Sequence, residues 1–300
     1  MKRYIALDIG GTKVKHGIVT ETGEIIERGK YDTQHNDLES FIENLEMIID
    51  KYNSRHDIEG IAVSLPGFIN YKTGYAVKAG AIEVLHGKNL KEILEKDMKL
   101  PVEIENDANC AALAERFNGN AVNCRDFVCI TVGTGIGGAI MVNDKILHGN
   151  DFRGGEVGFM ITCDAEGDKR MMNQNSSTRV LIEEYKKYKK LKPEIIVEGH
   201  EVFDEAKENE DINEIVENWF ERLSRGIFNL VVILNPEKIL IGGGVSEREG
   251  FISNIEKYLN QISVWKDVKV KMELCKYGNN AGLIGAVYNF MNRHKASEGK

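Results

Sequence analysis

Hydrophobic and polar positions along this chain change period several times, and the changes outline its elements. Tyr4 to Leu7 is a short apolar run, Gly10-Gly11 a tight turn and Val14 to Thr20 a returning strand, with Glu21-Thr22-Gly23-Glu24 as the next turn. The chain thus opens on a β-meander. Leu38, Phe41, Ile42, Leu45, Ile48 and Ile49 then recur at helical spacing, and Gly60 to Ser64 forms a buried strand ended by Leu65-Pro66-Gly67. Strand, helix and strand in this order predict an α/β domain.

The alternation continues with a helix from Leu90 to Met98, a strand from Val102 to Ile104 and a helix from Ala108 to Phe117 whose N-terminus carries Glu105, Asn106 and Asp107. A strand from Phe127 to Val132 runs into Gly133-Thr134-Gly135-Ile136-Gly137-Gly138, a second glycine hairpin like the first, so the chain reads as internally duplicated. Beyond it lie a long amphipathic helix carrying Ile212, Ile215, Val216, Trp219, Phe220, Leu223 and Ile227, a strand from Lys238 to Ile241 ending in Gly242-Gly243-Gly244, and a last helix from Ala281 to Met291. Lys186-Lys187 and Lys189-Lys190, with Tyr185 and Tyr188 between them, read as a solvated helix face. His294 to Lys300 reads as a frayed tail.

Composition narrows the function classes. With 300 residues, 42% hydrophobic and 29% charged, the chain can bury one large or two medium cores. A formal charge of −8 with no basic stripe gives nucleic acid no electrostatic help, so no nucleic-acid partner is expected. The five cysteines (110, 124, 129, 163 and 275) form no CxxC pair, which fits reduced thiols in the cytoplasm. Asp8 breaks the first apolar run and nowhere do about 18 apolar residues run together, so neither a signal peptide nor a membrane span is expected.

The glycines carry the first chemistry. In Asp8-Ile9-Gly10-Gly11-Thr12-Lys13 the missing Cβ atoms at a hairpin tip let backbone amides approach phosphate oxygens, with Thr12 and Lys13 as side-chain donors. Gly133-Thr134-Gly135 repeats the device, and Gly242-Gly243-Gly244 sits where a strand meets the next element. One such cluster is commonplace, whereas three in this order suggest a clamp on a polyphosphate. Neither a P-loop nor a dinucleotide fingerprint opens the chain. For Asp107 the residues alone leave two roles open, helix N-cap or reactive carboxylate, and its place at a helix N-terminus predicts a lowered pKa.

Taken together, DIGGTKVKHGIV, VSLPG, ENDANCAALAE, TVGTGIGGAIMV, GGEVGF, IGGGVS and GNNAGLIGAV resemble the motifs of the ROK family, which unites sugar kinases and sugar-sensing repressors. The motifs spread from residue 8 to residue 287. The resemblance implies an α/β, two-lobed actin-like ATPase (ribonuclease H-like) fold with duplicated β-meander and helix lobes. Residues 1–112 plus 281–300 would form one lobe and 113–280 the other, with ATP in the cleft and sugar deeper between them. It further implies Asp107 as catalytic base and Asn106, Glu156, Gly67 and Gly80 as sugar-binding. Asp8, Gly10, Gly11, Thr12, Lys13, Gly133, Thr134, Gly135, Gly243, Gly244 and Asn280 would bind nucleotide, with Asp8 holding Mg²⁺ through water. The implied reaction is ATP-dependent phosphorylation of a sugar primary hydroxyl, O6, in an assembly of two or more copies. Phosphoryl transfer needs little early deprotonation, so a weakly basic Asp107 suffices.

The chain departs from the family pattern after Gly155-Glu156-Val157-Gly158. Many members place a histidine next and follow it with a Cys-x-Cys-Gly-x-x-Gly-Cys run that binds structural zinc. Here Phe159 stands in the histidine's place and Cys163 has no nearby thiols, so no structural zinc is expected. The histidine also contacts sugar near its anomeric hydroxyl in zinc-type glucokinases, so Phe159 points to a substituent at that carbon or to a different sugar. KAGAI, FRGGEVGFM and MNQNSSTRVL are most similar to the β-glucoside kinases of the family, which makes β-glucosides such as cellobiose the expected substrates, ahead of N-acetylmannosamine or glucose. The stretch from Thr162 to Asn175 is expected to border the sugar's reducing end. A repressor of the same family would carry a helix-turn-helix ahead of the body, and strand residue Tyr4 leaves no room for one.

Overall fold

In a computed structural model, which describes residues 1–163 and 167–298, the chain alternates short strands and helices. It begins β1 (Arg3–Ile9), β2 (Lys13–Thr20), β3 (Ile25–Asp32), α1 (Leu38–Asn53), β4 (Gly60–Leu65), β5 (Phe68–Asn70), β6 (Tyr75–Lys78) and β7 (Lys88–Asn89). It continues α2 (Leu90–Met98), β8 (Val102–Asn106), α3 (Asp107–Asn118), β9 (Phe127–Val132), β10 (Ile136–Val142) and β11 (Lys145–Ile146). Then follow α4 (Met172–Asn175), α5 (Thr178–Lys189), α6 (Gly199–Glu205), α7 (Glu210–Leu234), β12 (Lys238–Gly242), α8 (Phe251–Leu259), α9 (Trp265–Val268), β13 (Lys271–Leu274) and α10 (Ala281–Glu298). No helix among the described residues is long and apolar enough to cross a membrane.

Two five-stranded sheets have orders β3-β2-β1-β4-β8 and β11-β10-β9-β12-β13, the same topology twice. Each pairs an antiparallel glycine hairpin with parallel strands at its side, which is the duplication visible in the sequence. Two compact units result. Residues 1–123, 146–154 and 279–300 form the first, 124–145 and 155–278 the second. This segment of the first unit runs to Asn123 rather than to residue 112, and its α3 packs on α10.

In the first unit the period-2 alternation of β1 sends Ile5, Leu7 and Ile9 to a core beneath α1 and α2, and Tyr4 and Ala6 to a second core beneath α10. With both faces covered, β4 is buried at all six positions. Helix α10 runs on to Glu298, so the segment from His294 that reads as a frayed tail in sequence is helical, while Gly299 and Lys300 lie outside the described residues. Stacking of His294 on Phe290, with ring centroids 4.3 Å apart, gives that last stretch a packing partner.

The second unit is built round α7, whose Trp219, Phe220, Leu223 and Ile227 meet Val128, Ile130 and Val132 of β9. Trp219 donates its indole N–H to the Ser177 carbonyl at 3.0 Å, which satisfies its one polar atom in the core. Tyr185 is buried in this core as well, so the lysine-rich stretch of α5 is only partly a solvated face.

Candidate active site

The carboxyl ends of the parallel strands in the first unit hold the polar side chains, as open α/β sheets do. Register sets Asp8 of β1 beside Ser64 of β4, and Ser64 beside Glu105 of β8. Asp8 accepts a hydrogen bond from Ser64 Oγ at 2.8 Å and an ammonium hydrogen bond from Lys15 at 3.2 Å. A Cβ on Gly282 would come within 2.4 Å of the Asp8 carboxyl carbon, so the start of α10 can lie against Asp8 only without a side chain there. The preceding Asn279 accepts from Lys15 through its carbonyl at 3.1 Å, and Asn280 accepts from Arg28 at 3.4 Å.

Asp107 is the first residue of α3, and the N-cap is Asn106, whose side-chain oxygen accepts from the Asn109 N–H at 3.1 Å. The capping alternative for Asp107 is thereby assigned to its neighbour. Asn106 also donates from its amide to the Gly67 carbonyl at 3.0 Å. Gly67 has φ +99°, and a Cβ there would meet the Lys78 carbonyl at 2.0 Å, so only glycine lets the Pro66-Gly67 turn press against the segment leading to Gly80.

The lowered pKa expected for Asp107 from the helix dipole is overturned. Desolvation by the protein round its carboxyl pushes it up to about 6, the charge of Asp8 adding to the rise, and these outweigh the backbone N–H of Ala108, which donates to it at 2.9 Å. The residue itself stands exposed at the start of α3, within reach of water and of a small-molecule acceptor. An aspartate shifted upward is a better proton acceptor near neutral pH than an ordinary one.

Lys13 is paired with Asp32 on the neighbouring strand rather than with Asp8. The lysine at Asp8 is Lys15, its direct cross-strand partner. The hairpin predicts such a pairing once Ile9 is known to lie opposite Val14, so the register was the missing signal. Behind the hairpin, Thr33 donates to the Gly10 carbonyl at 2.6 Å and His35 to the Gly11 carbonyl at 2.8 Å, which fixes the tip.

In the second unit, Gly133, Thr134, Gly244 and Val245 border a cavity of about 610 Å³. That is the size range of small-molecule sites. Gly243, at φ +105°, brings the strand end against the Val132 carbonyl, where a Cβ would stand 2.0 Å away. A Cβ on Gly244 would meet nothing within 4 Å, so its missing side chain leaves room in the cavity itself. Asn173 accepts from the Ile136 N–H at 2.8 Å and lies 3.0 Å from where a Gly135 Cβ would be, bracing the hairpin. The far wall comes from α5, where Thr178, Ile182 and Lys186 recur every fourth residue on one face. Together with Arg179 and Arg248 they give the cavity cations and apolar surface. The helical spacing after Ser177 was the signal that could have found them.

Glu156, half-buried, precedes a single 3₁₀ turn (Val157–Phe159) in this second unit. Phe159 is 54% exposed and Ile161 60%, an apolar pair on the surface following Glu156. Asp164 to Glu166, within the stretch expected to border the sugar, lie outside the described residues, and Met172 of that stretch is fully buried in the core. Among the described residues no three His, Cys, Asp or Glu side chains group to hold a metal ion.

The sequence profile of the ROK family matches residues 4–293. A β-glucoside kinase of Listeria monocytogenes is 35% identical over 301 residues, covering 98% of this chain and 100% of the relative. A β-glucoside kinase of Klebsiella pneumoniae is 36% identical over 300 residues, covering 99% and 98%. Among solved structures, a ROK family glucokinase from Streptomyces griseus in complex with glucose and AMPPNP superposes with TM-score 0.82 at 27% identity, over 95% of this chain and 97% of that one.

Proposed function

The chain belongs to the ROK family, and from that premise we propose an ATP-dependent carbohydrate kinase that phosphorylates O6 of β-glucosides such as cellobiose. What carries the kinase reading is Asp107, a carboxylate at the strand ends beside Asp8, raised in basicity and held next to the sugar-binding candidates Asn106 and Gly67. Asn106, Glu156, Gly67 and Gly80 bind the acceptor sugar. Gly10, Gly11, Thr12 and Lys15 of the first unit, with Asn280, face the triphosphate, and Gly133, Thr134, Gly135, Gly243 and Gly244 line its place in the second.

Oxygen donors of two neighbouring carboxylates, one raising the pKa of the other, suit a hard cation, and Asp8 would hold Mg²⁺. When bound with ATP the ion would neutralise phosphate charge. Asp107 orients the O6 hydroxyl and accepts its proton as the O6–P bond forms and the bond from the γ-phosphorus to the bridging oxygen breaks, releasing ADP. Lys15 offers a further cation, and its hold on Asp8 keeps that carboxylate directed.

For the substrate, the support is the exposed Phe159 and Ile161 after Glu156, an apolar surface on which an aglycone sugar can stack, together with the relatives' names. One aromatic contact contributes about 1 kcal/mol, roughly five- to tenfold. A coupled ADP-release assay over cellobiose, other β-glucosides, glucose and N-acetylmannosamine tests both levels. The highest kcat/KM is expected for a β-glucoside. Faster turnover of free glucose or N-acetylmannosamine would leave the kinase and remove the β-glucoside assignment.

A further inference from the structure

Glu105 ends its strand with a carboxylate whose side chain is only 1% exposed, two residues before Asp107. A carboxylate so enclosed must have its lone pairs occupied. One oxygen accepts the Asn106 backbone N–H at 2.8 Å and the Asn109 side-chain amide at 2.9 Å. The other meets His148 Nε2 at 2.8 Å. A carboxylate oxygen can only accept, so the imidazole presents Nε2–H to it.

His148 arrives from far along the chain, in the segment 146–154, which belongs to the first unit although the chain on both sides of it belongs to the second. Three observations fix its ring. The imidazole stacks on Tyr71 with centroids 3.7 Å apart and planes 14° from parallel. The guanidinium of Arg293 lies 5.2 Å from the Tyr71 ring centroid and is itself held by Glu103 at 2.7 Å. The Gly154 N–H closes the segment on the His148 carbonyl at 2.9 Å.

Asn106 and Asn109 flank Asp107 on one turn, and both are tied to the same Glu105 oxygen. With the second oxygen held, the carboxylate cannot rotate away from them. We propose that His148 is a positioning residue, which through Glu105 fixes the Asn106-Asp107-Asn109 turn and thereby the pose of the acceptor hydroxyl. The proposal rests on the kinase reading above. Removal of His148 leaves a buried carboxylate oxygen without a donor, and the strain falls on the two asparagines rather than on the nucleotide cavity.

Steady-state kinetics with the sugar panel on the full chain tests it. His148→Ala should lower kcat/KM for the sugar about ten- to a hundredfold, with KM for ATP within twofold of wild type. His148→Gln, whose amide can still donate to Glu105, should recover most of that loss. Glu105→Gln combined with His148→Ala should cost no more than the worse single change, as expected of residues acting as a unit. Wild-type activity with His148→Ala indistinguishable from it, or a Gln variant no better than Ala at equal Tm, overturns the positioning role and leaves the kinase reading intact. A wild type that releases ADP with no sugar overturns both.

Discussion

The two glycine hairpins are built alike and surrounded differently. Each joins the first two strands of a sheet of the same topology, and each is braced from behind by side-chain groups, Thr33 and His35 for the first and Asn173 for the second. Yet the first stands over ionised chemistry, with Asp8, Lys15 and Asp107 gathered at its base, whereas the second opens on a cavity shaped by absent side chains and one helix face. A duplicated scaffold has thus kept the backbone device twice and placed the proton-handling groups once. Changes at the first hairpin should act on catalysis, and changes at the second on nucleotide affinity.

The sharpest way to break that division is Asp107→Asn, expected to lower kcat by roughly 10²- to 10⁴-fold, the range for loss of a general base, with ATP affinity by calorimetry unchanged. Because the folded carboxyl titrates above its ordinary value, the wild-type rate should fall on the acid side near pH 6 rather than near 4. The same shift gives a stability sign. A raised carboxyl pKa contributes stability that is present below the unfolded value and lost as pH rises through the folded one. The Asn variant should therefore have the higher Tm at pH 8, the gap closing toward pH 4.

Gly244→Val should act in the opposite sense, placing methyl groups in the cavity at a position whose Cβ meets no atom within 4 Å. ATP affinity should drop about five- to a hundredfold, from a clash with the nucleotide of roughly 1–3 kcal/mol, with sugar binding retained. Equal ATP affinity would show that the cavity is not the nucleotide's. The smallest contrast lies within the first hairpin. Lys15→Met removes an ammonium from Asp8 and should cost about tenfold or more in kcat/KM for ATP, at the scale of a charge-assisted hydrogen bond. Lys13→Ala breaks only an exposed pair with Asp32 and should change it less than about threefold. A reversal of that order would return the phosphate contact to Lys13.

Much of this was legible in the chain itself. The strand and helix periods, the repeated hairpin and the Asn106-Asp107 junction could be read because each is a local pattern with a local physical cause. What escaped depends on register or on distance. Lys15 becomes the partner of Asp8 only when Ile9 is placed opposite Val14, and Glu105 meets His148 across 43 positions that no periodicity connects. The basicity of Asp107 was misjudged because the helix end is local and visible, while the desolvation and the charge of Asp8 that outweigh it come from tertiary packing. The face of α5 was hidden by its lysines, which read as solvent-facing until the cavity wall was seen.

The placement of α10 has a consequence for how the protein comes into being. Tyr4, Ala6, Val19 and Ala62 form an apolar surface on the first sheet that is covered by Leu283, Ala286, Val287 and Phe290. During synthesis that surface emerges from the ribosome before the second unit, and its cover emerges after it. Vectorial folding can thus complete the second unit first, while the first waits with an exposed sheet face, the kind of surface that chaperones bind. Gly285, where a Cβ would stand 1.8 Å from the Cys110 carbonyl, then sets how closely the later helix can dock on α3, so the cover of that sheet face depends on one missing methyl group.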